Sequence, residues 1–267
     1  MNLGKYPILG VCISAVNYDY AVSTIIKTSQ ERTSLAVTAL AVHGVMTGYL
    51  DAVQRRRLNG IDLVVPDGQP VRWALRWIHG ISLPDRVYGP ELTLRVVAAA
   101  ARTGLPVYFF GSTNEILRLL IHNIKRAFPE LVVAGAEPSK FRKITQAEKL
   151  EILSRIRDSG ANIVFVGLGC PRQEVWVYEY RNELRMPILA VGAAFPFLAG
   201  VLPQAPRWMQ NVGLEWLYRL IQEPTRLWKR YVLLNPIYLS GVFLQAFGIL
   251  TAPALSPDGS ECEEFYG

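Results

Sequence analysis

An aspartate just past an apolar run, in Val64-Val65-Pro66-Asp67-Gly68-Gln69-Pro70, is the first residue whose setting suits chemistry. A carboxylate there can face a ligand crevice and act as a general base, or it can cap the helix that follows. Taken alone, the cap is the plainer reading. Two other stretches, Phe110-Gly111-Ser112-Thr113 and Val166-Gly167-Leu168-Gly169-Cys170-Pro171-Arg172-Gln173-Glu174, set glycines between an apolar run and a helical pattern. Such junctions present backbone N–H groups and a helix N-terminus to an anion, which suits a diphosphate. Gly111, Gly167 and Gly169 are therefore candidate anion-binding positions, and Gln173 could turn its amide towards a base or sugar. The second stretch departs from a dinucleotide fingerprint, because Arg172 stands where the third glycine belongs. No Asp-x-Asp pair occurs, and His43, His79 and His122 are isolated, so no metal site is expected. A Gly-x-Ser-x-Gly elbow is also missing, which argues against a hydrolase triad.

These loops need elements to hold them. Short apolar runs at Ile8–Ile13, Leu35–Thr38, Ile61–Val65, Pro106–Phe110, Leu131–Ala134, Asn162–Val166 and Pro187–Val191 alternate with helix-like stretches such as Thr113–Ala127 and Thr145–Ser159. In the second helix Ile144, Ala147, Leu150, Ile152 and Leu153 form the apolar side, with Glu148, Lys149 and Glu151 among the polar residues. Alternation of this kind predicts an α/β domain, and fully apolar runs predict strands buried on both faces. The expected fold is a doubly wound, mostly parallel, Rossmann-like sheet over residues 1–200. Ligands then bind outside the carboxyl ends of the strands. That rule selects the loops after Val37, Val65, Phe110, Val166 and Val191.

Beyond Gly200 the pattern changes to short helices punctuated by Pro203, Pro206, Pro224, Pro236 and Pro253, with one helix expected from Arg207 to about Gln222 and another opening at Pro224. Trp208, Trp216 and Trp228 lie here beside Arg207, Arg219, Arg226, Lys229 and Arg230, and Tyr231–Leu255 contains no Asp, Glu, Lys or Arg. Aromatic and basic residues flanking an uncharged apolar run suggest an interfacial membrane helix. A packed helical subdomain or an oligomer contact is the alternative. Asn235-Pro236 and Gln245 leave only about 16 clean residues where a span needs ~20. The expected organisation is a catalytic domain over 1–200, a helical membrane-associating appendage over 201–255, and a flexible acidic tail over 256–267.

Composition agrees with a folded globular chain. The 267 residues are 51% hydrophobic and 19% charged with a net charge of +6, which excludes disorder. No compact basic run interleaves with stacking aromatics, so a nucleic-acid partner is not expected. Arg55-Arg56-Arg57 reads as the solvated end of a helix. Cys12, Cys170 and Cys262 lack metal or redox spacing and point to inert thiols in a reducing compartment.

Taken together the loops resemble the WecG/TagA/CpsF glycosyltransferase family. The matching stretches are Val65-Pro66-Asp67-Gly68, Asp85-Arg86-Val87-Tyr88-Gly89-Pro90-Glu91-Leu92, Gly167 to Glu174, Val191-Gly192-Ala193-Ala194-Phe195, Ala205-Pro206-Arg207-Trp208, Gly213 to Leu220, and Glu223-Pro224-Thr225-Arg226. The resemblance implies an inverting, metal-independent transferase with no cofactor. It would move a sugar from a UDP-sugar to a polyprenyl-diphosphate-linked saccharide at the cytoplasmic membrane face, in cell-surface or exopolysaccharide synthesis. It turns Asp67 from a helix cap into the expected base for the acceptor hydroxyl. Thr38 would stand next to donor and acceptor, Arg86 would offset charge on the leaving diphosphate, and Gln173 would lie near the nucleotide sugar. Arg219, Arg226 and Lys229 would meet the lipid diphosphate.

Two positions depart from the family. Thr38-Ala39-Leu40 replaces Thr-x-Asn, and Pro196 follows Phe195 where an acidic residue is common. Both lie where donor contacts are expected, so glucose or another hexose stands beside N-acetylmannosamine as donor sugar. His43 is a candidate replacement contact, with a core histidine as the alternative. A non-catalytic nucleotide-sugar-binding or scaffold protein of the same fold is the competing reading. The apolar segment could dock on a second subunit as readily as on lipid, which leaves a homo-oligomer open.

Overall fold

The computed structural model describes residues 1–251 and 264–267. Among these, β3 (Leu35–Leu40), β4 (Leu63–Pro66), β5 (Val107–Gly111), β6 (Val133–Glu137), β7 (Ile163–Gly167) and β8 (Pro187–Ala190) form a parallel sheet in the order β4-β3-β8-β7-β5-β6. Both faces are buried, as the unbroken apolar runs require. Along β5, Tyr108 and Phe110 enter one core while Val107 and Phe109 enter the other; Val164 and Val166 of β7 oppose Ile163 and Phe165 in the same way. This is the doubly wound α/β architecture expected from the sequence. The chain runs from β3 outward to β4, then crosses to the far side for β5 and β6, and fills the gap with β7 and β8. The switch in direction opens a crevice at the carboxyl ends of the central strands.

The N-terminal run behaves differently from the expected single strand. Asn2–Ile8 (β1) and Val11–Val16 (β2) form an antiparallel hairpin that is a separate two-stranded sheet. Ile8 pairs with Val11 across Leu9-Gly10, whose φ angles of 50° and 85° suit a two-residue hairpin turn. Hydropathy hid this turn because Leu9 is apolar and fully buried. Its N–H donates to Gln245 Oε1 at 2.8 Å, and its side chain packs against Gly241.

Two helix readings also need correction. Helix Gln146–Asp158 starts at Thr145 with a capping box, as the pattern suggests, but Lys149 is buried and Leu150 is 54% exposed. Lys149 turns inward because Glu183 meets its ammonium at 2.7 Å and Tyr180 and Phe265 cover it. Likewise Arg55 and Arg57 are buried rather than solvated: Arg55 donates to the Gly48 carbonyl, and Arg57 faces Glu179 and Glu264.

The C-terminal third is helical. The helix expected from Arg207 is broken into Arg207–Asn211 and Glu215–Gln222 by Gly213, whose φ of 76° favours glycine and whose missing Cβ leaves room for Trp73. Helix Pro224–Lys229 opens on Pro224 as expected, continues through a π-helical turn at Arg230–Leu234, and leads into helix Asn235–Ala246. This last helix packs back onto the hairpin. Tyr238 and Val242 are buried, the Tyr238 hydroxyl donates to the Pro70 carbonyl, and Gln245 Nε2 donates to the Pro7 carbonyl. Of the tail expected to be flexible, residues 256–263 lie outside the described residues. Glu264–Gly267 pair with the stretch before helix Gln146–Asp158, through the Ile144 N–H to the Phe265 carbonyl and the Phe141 N–H to the Gly267 carbonyl.

Candidate active site

The loops after β3, β4, β7 and β8 enclose a cavity of about 670 Å³, within the range of small-molecule sites. Its floor carries Asp67, Gly68, Gly169 and Gln173; Glu215, Trp216, Arg219 and Arg226 of the C-terminal helices close it. Placement at the carboxyl ends of parallel strands is the outcome that the sequence pattern implied.

Asp67 follows β4, with its own N–H donating to the Leu40 carbonyl of β3. Its side chain does not cap the next helix. Helix Gln69–His79 begins after Gly68 with no side-chain cap, and Asp67 Oδ1 instead accepts the Gly89 N–H at 2.9 Å. The carboxyl therefore bridges two loops and borders the cavity. Burial pushes its pKa up to about 6; Glu215 adds to the rise, while Arg86, the Gly89 N–H and Arg219 oppose it. A carboxylate with that value is near the range where a general base works best at neutral pH.

Arg86 lies on the loop before helix Gly89–Thr103 and is buried. Its guanidinium meets Glu215 at 2.7 Å, donates to Gln210 Oε1 at 2.9 Å, and lies 4.3 Å over the Tyr88 ring. Both Glu215 and Gln210 come from the C-terminal helices, so this cluster ties that segment to the cavity. The arginine stays firmly ionised because Glu215 and Asp67 together outweigh its burial.

Thr38 and Gln173 meet around a third carboxyl. Thr38 is fully buried in β3 and behind the cavity wall, where its hydroxyl donates to Glu174 Oε1 at 3.2 Å. Gln173 donates to the same oxygen at 2.8 Å and accepts the Gly169 N–H at 3.2 Å. Its amide is thus spent on the loop that lines the cavity. Glu174 is itself fully buried at the first turn of helix Arg172–Tyr180, and burial pushes its pKa up. Sequence reasoning gave Glu174 no role. The signal was present as an acidic residue in the first helical turn beside buried apolar residues, where the helix dipole favours negative charge.

The glycines divide by use. Gly111 has φ 111° and passes so close to β7 that a Cβ would stand 2.8 Å from the Gly167 carbonyl carbon; Ser112, rather than Gly111, lines the cavity. A Cβ at Gly167 would strike the Phe195 ring at 2.5 Å. Gly169, with φ 79°, borders open cavity space. Among the basic residues, Arg219 lines the cavity with its guanidinium 5.7 Å from the Phe197 ring centroid, and Arg226 lines it while paired with Glu223. Lys229 ends helix Pro224–Lys229, and its side chain lies outside the described residues. His43, Cys170 and Pro196 also border the cavity. Burial raises the pKa of the Cys12 thiol, while Cys262 lies outside the described residues.

This arrangement places a carboxyl of raised pKa and the cationic side chains of Arg219 and Arg226 around one cavity, so it can accept a proton at Asp67 and favour an anionic group nearby. One relative, N-acetylglucosaminyldiphosphoundecaprenol N-acetyl-beta-D-mannosaminyltransferase of Bacillus spizizenii, is 30% identical over 186 residues, covering 69% of each chain. The profile of the glycosyl transferase WecG/TagA/CpsF family matches residues 6–251, which span the sheet, the cavity and the C-terminal helices. The chain therefore belongs to the WecG/TagA/CpsF family of glycosyl transferases.

Proposed function

We propose that this glycosyltransferase moves a sugar from a UDP-sugar to a polyprenyl-diphosphate-linked saccharide with inversion and without a metal ion, in the synthesis of a cell-surface or exported polysaccharide. The observation that carries the proposal is Asp67, a carboxyl with a pKa of about 6 beside a cavity large enough for both substrates' reacting ends. The relative's name supports a lipid-diphosphate acceptor bearing N-acetylglucosamine and an N-acetylmannosamine donor sugar. Leu40 and Pro196 keep glucose or another hexose as alternative donors.

In the reaction the acceptor hydroxyl oxygen attacks the anomeric carbon as Asp67 takes its proton. The bond from that carbon to the donor diphosphate breaks, and UDP leaves with the bonding electrons. Gly169 and Arg172 border the cavity at the start of helix Arg172–Tyr180, which supports a diphosphate lying beside this loop, although the Gly169 N–H itself is taken by Gln173. Arg86 counts as a distant counter-charge rather than a direct clamp, since Glu215 and Gln210 occupy its fork. Arg219 and Arg226, with Lys229 from the same region, suit the diphosphate of the lipid acceptor.

No helix among the described residues is long and apolar enough to cross a membrane. Ile221, Val232, Leu233, Phe243 and Phe247 are nonetheless exposed along the C-terminal helices, which supports peripheral attachment to the cytoplasmic face of the membrane. The test is UDP release from candidate UDP-sugars with a polyprenyl-diphosphate sugar acceptor in vesicles. Release that needs the acceptor and disappears in Asp67→Asn supports the reading. Full activity in that variant removes Asp67 as the base.

A further inference from the structure

We propose that Glu215 is a positioning residue that holds the Arg86 guanidinium away from Asp67 and so keeps the carboxylate free to act as a base. The proposal rests on the reading of Asp67 as base and adds a residue to its machinery. Arg86 is buried, so its charge needs a partner. Three contacts satisfy it: the Glu215 carboxylate at 2.7 Å, the Gln210 amide oxygen at 2.9 Å, and the face of Tyr88 at 4.3 Å. The ion-pair partner and the hydrogen-bond partner both belong to the segment from Arg207 to Gln222. Among the described residues Asp67 makes no ion pair; its side chain accepts the Gly89 N–H at 2.9 Å.

Without the Glu215 charge, Asp67 is the next carboxylate whose field acts on Arg86. A guanidinium left buried and unbalanced would turn towards it, because a charge-assisted arginine–carboxylate pair is the strongest alternative available. That pairing would engage the oxygen that must approach the acceptor hydroxyl and would lower its basicity. The other groups that face Asp67 cannot replace this effect. Tyr88 on the same loop and Tyr18 of helix Tyr18–Gln30 are both pushed far above the neutral range by burial, so neither carries charge. Arg219 of helix Glu215–Gln222 opposes the rise in Asp67 more weakly than Arg86 does, and His43 borders the cavity from the first turn of helix Val42–Leu50.

The experiment uses the full chain with a UDP-sugar and a polyprenyl-diphosphate sugar acceptor in vesicles. Wild type and Glu215→Gln are compared for kcat/KM against pH. The Asp67 carboxyl is also titrated directly by infrared difference spectroscopy, with Asp67→Asn as the blank. The expected result is an acid limb and a carboxyl titration both displaced towards acid by about one pH unit, with a plateau rate reduced about tenfold. Arg86→Gln alone should displace the limb the other way. Adding Glu215→Gln to it should move the limb back by clearly less than Glu215→Gln moves it in the native background, because only there can Arg86 turn to Asp67. Equal displacements in the two backgrounds would reduce Glu215 to a distant charge and overturn the proposal. A merely structural role would lower the active fraction and leave both titrations in place, which would overturn the proposal. Displacement of the Glu215→Gln limb towards alkali would overturn it equally. Full activity in Asp67→Asn would defeat the base assignment itself. Inactive Asp67→Asn with unmoved titrations in Glu215→Gln would defeat only the role of Glu215.

Discussion

Asp67→Asn should abolish turnover and at the same time stabilise the protein, but only above mildly acidic pH. Asparagine keeps the Oδ1 that accepts the Gly89 N–H and removes the ionisation. In the native chain the pKa rises from an ordinary 3.8 to about 6, chiefly through burial, so folding binds a proton between those values. Stability attributable to this group is therefore highest below pH 3.8 and declines as pH rises towards 6, because the folded state holds the proton more tightly than the unfolded chain. Above pH 6 the charged carboxylate destabilises the fold by about 3 kcal/mol relative to a neutral isostere. For a chain of this length that corresponds to roughly 5–10 °C in Tm. Thermal unfolding of both proteins at pH 4 and pH 8 measures the effect, with UDP release measured in parallel. The variant should lose about 10²- to 10⁴-fold in rate, gain several degrees at pH 8, and gain almost nothing at pH 4. An equal Tm difference at both pH values, or a loss of stability at pH 8, would refute the claim that the site holds Asp67 against its preferred ionisation.

Other positions separate packing from chemistry. Gly111→Ala should cost about 2–4 kcal/mol in chemical denaturation, since φ 111° is hostile to a side chain and the new Cβ meets β7 backbone at 2.8 Å. Glu174→Ala should be destabilised by about 2–4 kcal/mol, because the Thr38 hydroxyl and Gln173 amide lose a buried acceptor, whereas Glu174→Gln keeps an acceptor oxygen and should stay within about 1 kcal/mol of wild type. Arg219→Ala should raise KM for the lipid-diphosphate acceptor about tenfold and leave KM for the UDP-sugar nearly unchanged, measured by varying each substrate in turn.

Much of the fold was legible because the sheet is buried on both faces: β5, β7 and β8 read as apolar runs, and β3 is broken only by Thr38. The loops at their carboxyl ends were legible for the same reason, since glycines and an aspartate interrupt those runs abruptly. What stayed hidden depends on partners distant in sequence. Leu9 turns the chain because a glutamine 236 residues later accepts its N–H. Lys149 is buried because Glu183 and the Phe265 ring come to it. The family resemblance located Asp67 and Arg86, but not what holds them. Gln210 lies 124 positions beyond Arg86, and neither local pattern nor periodicity records that pairing.

The same dependence explains why the apolar and basic excess of the C-terminal third is inseparable from the site. Helix Glu215–Gln222 presents Glu215 and Arg219 to the cavity, one helical turn apart, while Ile221 is 68% exposed on its outer side. One rigid turn thus sets both the charge next to Arg86 and the direction of an apolar surface. Helix Asn235–Ala246 adds a second constraint through Tyr238 and Gln245, which fix it to Pro70 and to the hairpin while Phe243 stays outside. Whatever docks on the outer faces of these helices is therefore held at a fixed orientation to Asp67. For a transferase acting on a lipid-linked diphosphate this is the geometry required, because the acceptor's reacting hydroxyl can approach the base only from the side on which its lipid is retained.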